Sequence, residues 1–326
     1  MILTIHMAAL GHAESVAFDE VYVKARLITK SSLAKGRNEL PLAALHSKAA
    51  IKALPESFDA RTAWPQCDSI GDVYDQGKCG DCWAVSAVSS ATDRMCIDSS
   101  ADSADEPNTR LSVEHMLGCC RECGFGCNDG FPNYAWMWLA GQKGSPYGVV
   151  SGGQYHSTTW CSAYTLKPCN HYDSKNDSLP TCEGGMPPTN PACPTACDAD
   201  TAWKVPFAQD VHQFASAYAV PADEDQIRAE MFAHGPVTTG FNVYSDWIHY
   251  TSGVYQAAGG TEMGAHAVRM IGWGAEDGKK YWLVANSFGR KWGDGGYFKI
   301  IRAGGGDCGI MTNVVAGRYK LNATRS

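Results

Sequence analysis

Two cysteines separated by two residues, in Cys79-Gly-Asp-Cys82, are the first candidates for chemistry in this sequence. This spacing suits three different kinds of site: a redox dithiol, half of a zinc site, or a nucleophilic thiol beside a structural one. The four residues alone do not decide between these possibilities, so the rest of the chain must.

The redox and zinc interpretations find little support along the chain. A redox dithiol is expected beside a βαβ unit, and no such alternation of strand and helix surrounds Cys79 and Cys82. A zinc site needs a second group of ligands, and residues 119–127, with the pattern Cys-Cys-x-x-Cys-x-x-x-Cys, offer one by spacing. An oxidising compartment, however, would favour disulfides at these positions.

A nucleophilic thiol makes more specific demands on the chain. It should sit at a helix N-terminus, where the macrodipole lowers its pKa, with a distant histidine as partner and a carboxamide to orient that histidine. His266 stands at the start of a β-prone run between small residues, and Asn286 ends another run that could pair beside it. Each also has an ordinary explanation, because a lone histidine is often a hydrogen-bonded core residue and asparagine is a common turn former.

The elements that must position these residues differ in character along the chain. From Cys82 onward the residues are small or apolar without a helix breaker, and Trp83, Ala87 and Ala91 recur at helical spacing, which predicts a buried helix beginning at or near Cys82. The C-terminal third contains β-prone runs, HAVRMIGWG, KYWLVANS and GGYFKIIR, which predict a largely antiparallel sheet. Between them, residues 119–197 have the Cys, Gly, Pro, Asn and Asp composition of stapled loops.

Composition bounds the class of protein. The chain has 326 residues, of which 44% are hydrophobic and 19% charged, as expected of a folded globular protein. Its formal charge of -7, from 27 basic and 34 acidic residues, gives no basic stripe for nucleic acid. No apolar run reaches the roughly 18 residues that a membrane-spanning helix needs. We therefore expect neither nucleic-acid nor membrane partners.

The cysteines indicate an oxidising compartment. Thirteen of the 14 lie between Cys67 and Cys197, a density at which disulfides are expected along the secretory route but not in the cytosol. Glycosylation motifs at Asn176 and Asn322 agree with that route, whereas the N-terminal sequence MILTIHMAALGHAES is a poor match to a signal peptide. Residues 1–53 contain neither cysteine nor tryptophan, and we predict that they form a leader or pro-segment.

A series of motifs then runs in order from residue 54 to about residue 318. It comprises LPESFDAR, DQGKCGDCW, CCRECGFGCNDG, VYSDW, SGVYQ, GWG, YWLVANS and GYFKI. Residues 79–83 fit the signature C-G-[SA]-C-[WY] except at Asp81. The series resembles the papain-like cysteine proteases, and among them the cathepsin B branch. His266 and Asn286 lie further downstream than the roughly 130–150 residues expected, and the excess is about the size of an occluding-loop insertion at residues 161–197.

The resemblance implies an α+β fold of the papain-like, two-lobed type. A helical N-terminal lobe and an antiparallel, β-barrel-like C-terminal lobe would enclose a cleft. Residues 1–53 would be the leader and residues 54–326 the peptidase domain, which would carry a disulfide-stapled occluding loop at about residues 161–197.

The resemblance also implies a role for individual residues. Cys82 would be the nucleophile, His266 would pair with it and later protonate the leaving amine, and Asn286 would orient the imidazole. Gln76 would help the Cys82 backbone N–H to stabilise the oxyanion. The implied substrate-binding residues are Gly130, His171, Met311, Trp83 and Phe288. The implied disulfides are Cys67–Cys96, Cys79–Cys127, Cys119–Cys193, Cys120–Cys123, Cys161–Cys197 and Cys169–Cys182, which leave Cys308 as a buried free thiol.

The sequence departs from the family at several positions around the nucleophile. Asp81 stands where serine is usual, and its carboxylate could either cap the helix or oppose the thiolate and raise the pKa of Cys82. Phe288 replaces the tryptophan that shields the Asn–His hydrogen bond, Ala265 replaces the glycine before the histidine, and Asp129 replaces a glycine of the substrate-binding CNGG motif.

The occluding loop and one pocket depart as well. A His-His pair that captures a substrate's C-terminal carboxylate reads His171-Tyr172 here, although Asp75 is available to pair with His171. An arginine that pins the loop is Leu179, so we expect a more mobile loop and weakened peptidyl-dipeptidase activity. Met311, in place of a glutamate at the floor of the S2 pocket, favours a hydrophobic P2 residue over arginine.

The predicted function is a cathepsin B-type cysteine endopeptidase that works at mildly acidic pH through a thioester and needs no metal and no organic cofactor. Its partners would be peptide or protein substrates, its own pro-segment and cystatin-like inhibitors. We expect a monomer that is lysosomal, endosomal or secreted. The alternative, suggested by Asp81, Ala265 and Phe288, is a catalytically silent homologue that acts as a secreted binding or structural protein.

Overall fold

The computed structural model describes residues 27–99, 108–144, 147–171, 178–182, 188–302 and 304–320. The helices of this part of the chain are α1 (Lys30–Ala34), α2 (Lys48–Lys52), α3 (Ala60–Ala63), α4 (Cys82–Ser99), α5 (Val113–Cys119), α6 (Pro132–Leu139) and α7 (Glu224–His234). Its strands are β1 (Phe58–Asp59), β2 (Phe214–Ala219), β3 (Val237–Tyr244), β4 (Val254–Tyr255), β5 (Glu262–Glu276), β6 (Lys279–Ala285), β7 (Tyr297–Ile301) and β8 (Val315–Tyr319). Asn176, Asn322 and Tyr172 lie outside the described residues.

Helix α4 is the central element of the N-terminal lobe. It forms from a run of small and apolar residues without glycine or proline, and every residue from Cys82 to Cys96 is buried. Its small side chains let strands β5 and β8 pack against it. Disulfides hold the chain at both ends, Cys79–Cys127 just before the helix and Cys67–Cys96 in its last turn. The predicted helix beginning at Cys82 is confirmed.

The C-terminal lobe is built on one eight-stranded sheet. Its strands follow the order β2-β8-β3-β5-β6-β7-β4, and β1 pairs with β5 beside this path. All pairs are antiparallel except β4 with β7, which confirms the predicted sheet. In the long strand β5, Arg269 lies opposite Ala285, the last residue of β6. Because neighbouring strands run in opposite directions, the chain that continues from Ala285 to Asn286 heads towards His266.

Each lobe has its own hydrophobic core. One core is centred on α4 and α6 and contains Trp83 and Trp136, and the other is centred on β3, β5 and β6 and contains Trp247 and Trp282. No helix within the described ranges is long and apolar enough to cross a membrane.

Six disulfides link the chain, between the cysteines that the resemblance pairs. They are Cys67–Cys96, Cys79–Cys127, Cys119–Cys193, Cys120–Cys123, Cys161–Cys197 and Cys169–Cys182. The thiols of Cys82 and Cys308 are free, and both are buried. The cysteines of residues 119–127 therefore have no thiolate to offer a zinc ion. Two groups with metal-ligand spacing, one around His115 and one around His171, also use cysteines that are in disulfides.

Candidate active site

Cys82 is the first residue of α4, and its sulfur lies against the opposite lobe. The sulfur accepts a hydrogen bond from the backbone N–H of Ala267, at 3.5 Å, and Ala267 directly follows His266 on β5. The interface between helix and sheet therefore brings the thiol next to the imidazole-bearing segment.

The orientation of His266 is fixed by Asn286. Nε2 of the imidazole donates to Oδ1 of the carboxamide at 2.8 Å, since an amide oxygen can only accept. Nδ1 of His266 makes no hydrogen bond to any described residue. The neutral ring therefore carries its proton on Nε2 and keeps the lone pair of Nδ1 available as a base.

Aromatic rings cover the hydrogen bond between His266 and Asn286. The ring of Phe288 lies 4.9 Å from the imidazole and that of Trp247 lies 5.7 Å from it, and both aromatic side chains are buried. The shield is therefore complete although phenylalanine stands where the resemblance expects tryptophan.

Hydrogen bonds hold Gln76 against Ser287 and Cys79. Its backbone N–H donates to the carbonyl of Ser287 at 2.9 Å, its side-chain oxygen accepts from the Ser287 hydroxyl, and its side-chain nitrogen donates to the carbonyl of Cys79 at 2.7 Å. The two side-chain bonds fix the plane of the Gln76 carboxamide, and therefore also the direction of its second N–H bond.

Residues 27–35 cross the cleft over these residues. Ile28 and Ala265 exchange both backbone hydrogen bonds at 2.9 Å, immediately beside His266. Leu33 fills the space above Gly240, where a Cβ atom would lie 2.2 Å from the leucine side chain. Asn133 of α6 donates to the carbonyl of Leu33 at 3.2 Å. This segment is thus bonded to both lobes.

Burial sets the pKa values of Cys82 and His266. It raises the pKa of the Cys82 thiol to about 12, with Asp81 and Asp129 adding to the rise and the Ala267 N–H opposing it. It lowers the pKa of His266 to about 4, against the hydrogen bond to Asn286. The expectation of a thiol pKa lowered by the helix dipole is wrong for this covered form, because desolvation outweighs the dipole.

Asp81 does not cap helix α4; of the two possibilities for this residue, the one that agrees with the structure is that its carboxylate raises the pKa of Cys82. Its Oδ2 accepts a hydrogen bond from the hydroxyl of Tyr164 at 2.8 Å, and its Oδ1 has no partner among the described residues. Burial raises the pKa of this carboxyl to about 8. Asp81 is therefore a neutral acid at mildly acidic pH and becomes charged beside the thiol only in alkaline solution.

Asp129 and Gly130 lie on the helical side of the cleft. Oδ1 of Asp129 accepts from the Gly130 N–H at 2.7 Å, so the group expected to bind substrate backbone is occupied in this form. A Cβ atom at Gly130 would lie 2.4 Å from the ring of Trp83, which explains the need for glycine. Trp83 itself is fully buried beneath this loop and donates to the carbonyl of Gly126.

His171 of the inserted loop reaches the same cleft. Its Nε2 lies 2.8 Å from Oδ1 of Asp75, and its ring stacks on Phe288 at a centroid distance of 4.4 Å and an angle of 13°. Leu179 is half-buried in a segment that is held by the Cys169–Cys182 disulfide and by a hydrogen bond from the Cys182 N–H to the carbonyl of Asn170. Met311 is half-buried and packs against the core of the C-terminal lobe.

Several residues of the site escaped the sequence analysis. Ser287, which fixes Gln76, directly follows Asn286 in YWLVANS, and its hydroxyl next to a candidate site residue was a usable signal. Tyr164, the partner of Asp81, and Ser32, which bonds Asp129, carry no such signal, because only the fold brings them there.

Comparison with known proteins agrees with this geometry. A model of the papain family cysteine proteases matches residues 54–318. Cathepsin B-like cysteine proteinase 6 of Caenorhabditis elegans is 42% identical over 273 residues, covering 84% of this chain and 69% of that protein. Cathepsin B-like cysteine proteinase 4 of the same organism is 44% identical over 268 residues, covering 82% and 76%.

A solved structure extends the likeness beyond the matched family region. Procathepsin B S9 from Trypanosoma congolense superimposes with a TM-score of 0.71 at 30% identity, covering 92% of this chain and 88% of that one. The two-lobed, papain-like α+β fold follows from this match together with the cores described above. The chain therefore belongs to the papain family of cysteine peptidases, and within it to the cathepsin B-like proteinases.

Proposed function

We propose that this peptidase is an endopeptidase in which Cys82 is the nucleophile, His266 the base and acid, and Asn286 the residue that orients the imidazole. The observation that carries the proposal is the hydrogen bond between His266 Nε2 and Asn286. It leaves Nδ1 as the only basic nitrogen of the ring, on the strand whose next N–H touches the Cys82 sulfur.

The first half of the reaction uses these groups in turn. Once the leader has left and water enters, Nδ1 of His266 accepts the thiol proton of Cys82, and the sulfur attacks the carbonyl carbon of the scissile peptide bond. The backbone N–H of Cys82 and the carboxamide of Gln76 donate to the oxyanion. His266 then gives its proton to the leaving amine, and a thioester remains.

The second half repeats the proton transfer with water. His266 takes a proton from the attacking water molecule, the thioester C–S bond breaks, and the acid product leaves with the Cys82 thiol restored. The ring of Phe288 keeps solvent from the hydrogen bond between His266 and Asn286 throughout, so the imidazole holds its orientation.

We further propose that residues 1–53 are an inhibitory pro-segment and residues 54–326 the peptidase domain. The support is that residues 27–35 occupy the cleft, where Ile28 pairs beside His266 and Leu33 fills the space above Gly240. Cys82 and His266 are both fully buried with this segment in place. Cleavage of a substrate therefore requires that the leader first be displaced.

The inserted loop gives the proposal its finer detail. His171 is held by Asp75 and by stacking on Phe288, so one donor for a substrate's C-terminal carboxylate is in position. The neighbouring position holds Tyr172 rather than a second histidine. We propose that peptidyl-dipeptidase activity persists but is weaker than endopeptidase activity, and that Met311 favours an apolar P2 residue. Six disulfides support a lysosomal, endosomal or secreted protein.

The test is a digest of one unstructured peptide by the acid-processed protein, with a free and with an amidated C-terminus. Internal cuts in both peptides are expected, with slower release of dipeptides from the free end alone. Dipeptides as the dominant product would mean that His171 suffices and that the proposed weakening is wrong.

The same digest separates the peptidase from a silent homologue. A matched Cys82→Ala protein shows any background from contaminating enzymes. Absence of products, together with no covalent capture of Cys82 by an epoxysuccinyl inhibitor in a leader-free and folded protein, would reject the catalytic role and leave binding as the function.

A further inference from the structure

One leader side chain makes a polar contact inside the cleft that the general likeness to the family does not explain. The hydroxyl of Ser32 donates to Oδ2 of Asp129 at 2.7 Å, and Ser32 is buried. Asp129 stands where the CNGG motif of the family has a glycine, so this carboxylate is an addition to the cleft of this chain.

Contacts within its own loop also hold the carboxylate of Asp129. Its Oδ1 accepts from the Gly130 N–H at 2.7 Å, and its backbone carbonyl accepts from the Phe125 N–H at 2.7 Å. The Cys79–Cys127 disulfide ties the same loop to the chain that leads into α4. With Oδ1 engaged, Oδ2 is the atom presented to an occupant of the cleft.

If the proposed function is correct, the space that Ser32 fills is one that a substrate residue occupies during cleavage. Its neighbour Leu33 lies above Gly240, which pairs with Ala267 beside the Cys82 sulfur. Asp129 is also near enough to the thiol to contribute to its raised pKa. A peptide that replaces the leader must therefore pass this carboxylate.

Asp129 has no competing cation. Among the residues that the structure describes it forms no salt bridge. The lysines of the docked leader segment face other groups, Lys30 pairing with Glu262 and Lys35 lying over the ring of Phe131. Both lysines depart with the leader, so the negative charge of Asp129 is then neutralised only by its ligand and by solvent.

We propose that Asp129 is a specificity-determining residue that selects a substrate side chain carrying a hydrogen-bond donor at the position filled by Ser32. Lysine is favoured most, because its ammonium adds charge attraction to the hydrogen bond, and serine follows through the contact that Ser32 already makes. The proposal rests on the peptidase function proposed above. For a partly exposed pair the expected preference is roughly two- to fivefold.

The experiment compares peptides that differ at one residue. Leader-free enzyme is given a scaffold peptide in which each of the three residues before the cut is replaced in turn by lysine, serine, norleucine or glutamate. The enzymes are the wild type, Asp129→Asn, Asp129→Gly and, as control, Glu122→Gln, which removes an exposed carboxylate from the same segment. The readout is the ratio of kcat/KM for the lysine peptide to that for the norleucine peptide.

At one of the three positions the wild type and Glu122→Gln are expected to prefer lysine by roughly two- to fivefold and to disfavour glutamate. Asp129→Asn should lose the lysine preference while keeping that for serine, and Asp129→Gly should lose both. Added salt should reduce the wild-type ratio, because screening weakens only the charged contribution.

Two results would overturn the proposal, and they are distinguishable. If every enzyme cleaves the norleucine peptide but Asp129→Asn keeps the wild-type lysine ratio at all three positions, the specificity role is wrong and the peptidase function stands. If the wild type cleaves no peptide and takes up no epoxysuccinyl label, the peptidase function itself fails and the specificity role fails with it. Cleavage of the norleucine peptide by both Asp129 variants shows that they are folded.

Discussion

The two walls of the cleft depart from the family in opposite ways. The helical wall gains two carboxyl groups, Asp81 and Asp129, and both raise the pKa of the Cys82 thiol. The β wall instead changes to apolar residues, among them Ala265 and Phe288. Ala265 still offers its backbone N–H and carbonyl to the leader, and the phenylalanine still covers the histidine.

This difference separates two properties that the site must control. The orientation of His266 depends on the β wall, where the substitutions preserve packing around the imidazole. The ionisation of the nucleophile and the selection of side chains depend on the helical wall, where the substitutions add charge. Changes at Asp81 and Asp129 should therefore alter pH dependence and selectivity, and changes at Ala265 and Phe288 should alter the rate.

The largest expected effect tests the assignment of the nucleophile on the helical wall. Cys82→Ser should lower kcat/KM by roughly 10³-fold or more, because the serine hydroxyl is a far weaker nucleophile at the operating pH. The matched control is Cys308→Ser, which removes the other free buried thiol and should leave cleavage near the wild-type rate. Loss of activity in the Cys308 variant alone would contradict the assignment. The measurement is hydrolysis of a fluorogenic peptide by leader-free protein.

The second effect tests the charge added at Asp81. The folded-state pKa of this buried carboxyl is raised to about 8, so the native protein holds a proton that the unfolded chain releases, and stability falls as pH rises from about 5 to 8. Asp81→Asn removes this loss. The free energy of unfolding of the variant, relative to wild type, should therefore increase on the order of 3 kcal/mol between pH 5 and pH 8.

Urea unfolding at the two pH values measures this difference, with Cys82→Ala as a common background that prevents self-digestion. Glu122→Gln, at an exposed carboxyl, serves as the control and should show no comparable change. If the free energy of unfolding of Asp81→Asn relative to wild type is the same at both pH values, Asp81 is ionised throughout and its pKa is not raised by burial.

The third effect concerns His266 on the β wall and the leader that buries it. With the leader docked, the pKa of His266 is lowered to about 4, so docking favours the neutral imidazole. The affinity for the leader should therefore fall as the pH drops below the ordinary histidine pKa near 6.5. A peptide of residues 27–53 should bind leader-free Cys82→Ala protein roughly tenfold more weakly at pH 5 than at pH 6.5. The pH dependence should largely disappear in a Cys82→Ala, His266→Gln double variant, and calorimetric titration measures both affinities.

The same contrast explains what the sequence could predict. Helix α4 and the strands of the C-terminal lobe follow from local patterns, a run of small residues without a breaker and β-prone runs between glycine-rich turns. Cys82, His266 and Asn286 stand out because catalysis by a thiol needs a nucleophile, a base and a carboxamide that orients the base. The ordered motifs then pointed to this chemistry specifically.

The contacts of the carboxyl groups could not be predicted in this way. The bond between Tyr164 and Asp81 joins positions 83 residues apart, and that between Ser32 and Asp129 joins positions 97 residues apart. Neither tyrosine nor serine carries a local signal for such a partner. The expected lowering of the Cys82 pKa was wrong for a similar reason. A helix dipole can be predicted from the sequence, whereas the burial of the thiol cannot.

The smallest expected effect tests how the inserted loop is held against the β wall. Asp75→Asn removes the negative charge beside His171 but keeps an oxygen for the hydrogen bonds from Gly77 and from the imidazole. The stack of His171 on Phe288 is untouched, so the loop should stay in place while the imidazole loses the negative charge beside it. On the proposed function, dipeptide release requires His171 to attract a substrate carboxylate, and this attraction relies on its ion pair with Asp75. Release from a free C-terminus should therefore fall roughly two- to fivefold while internal cleavage of the amidated peptide stays the same.

Equal losses in both assays would place the effect of Asp75 on the catalytic centre, through its backbone pairing with Phe288, and not on the loop.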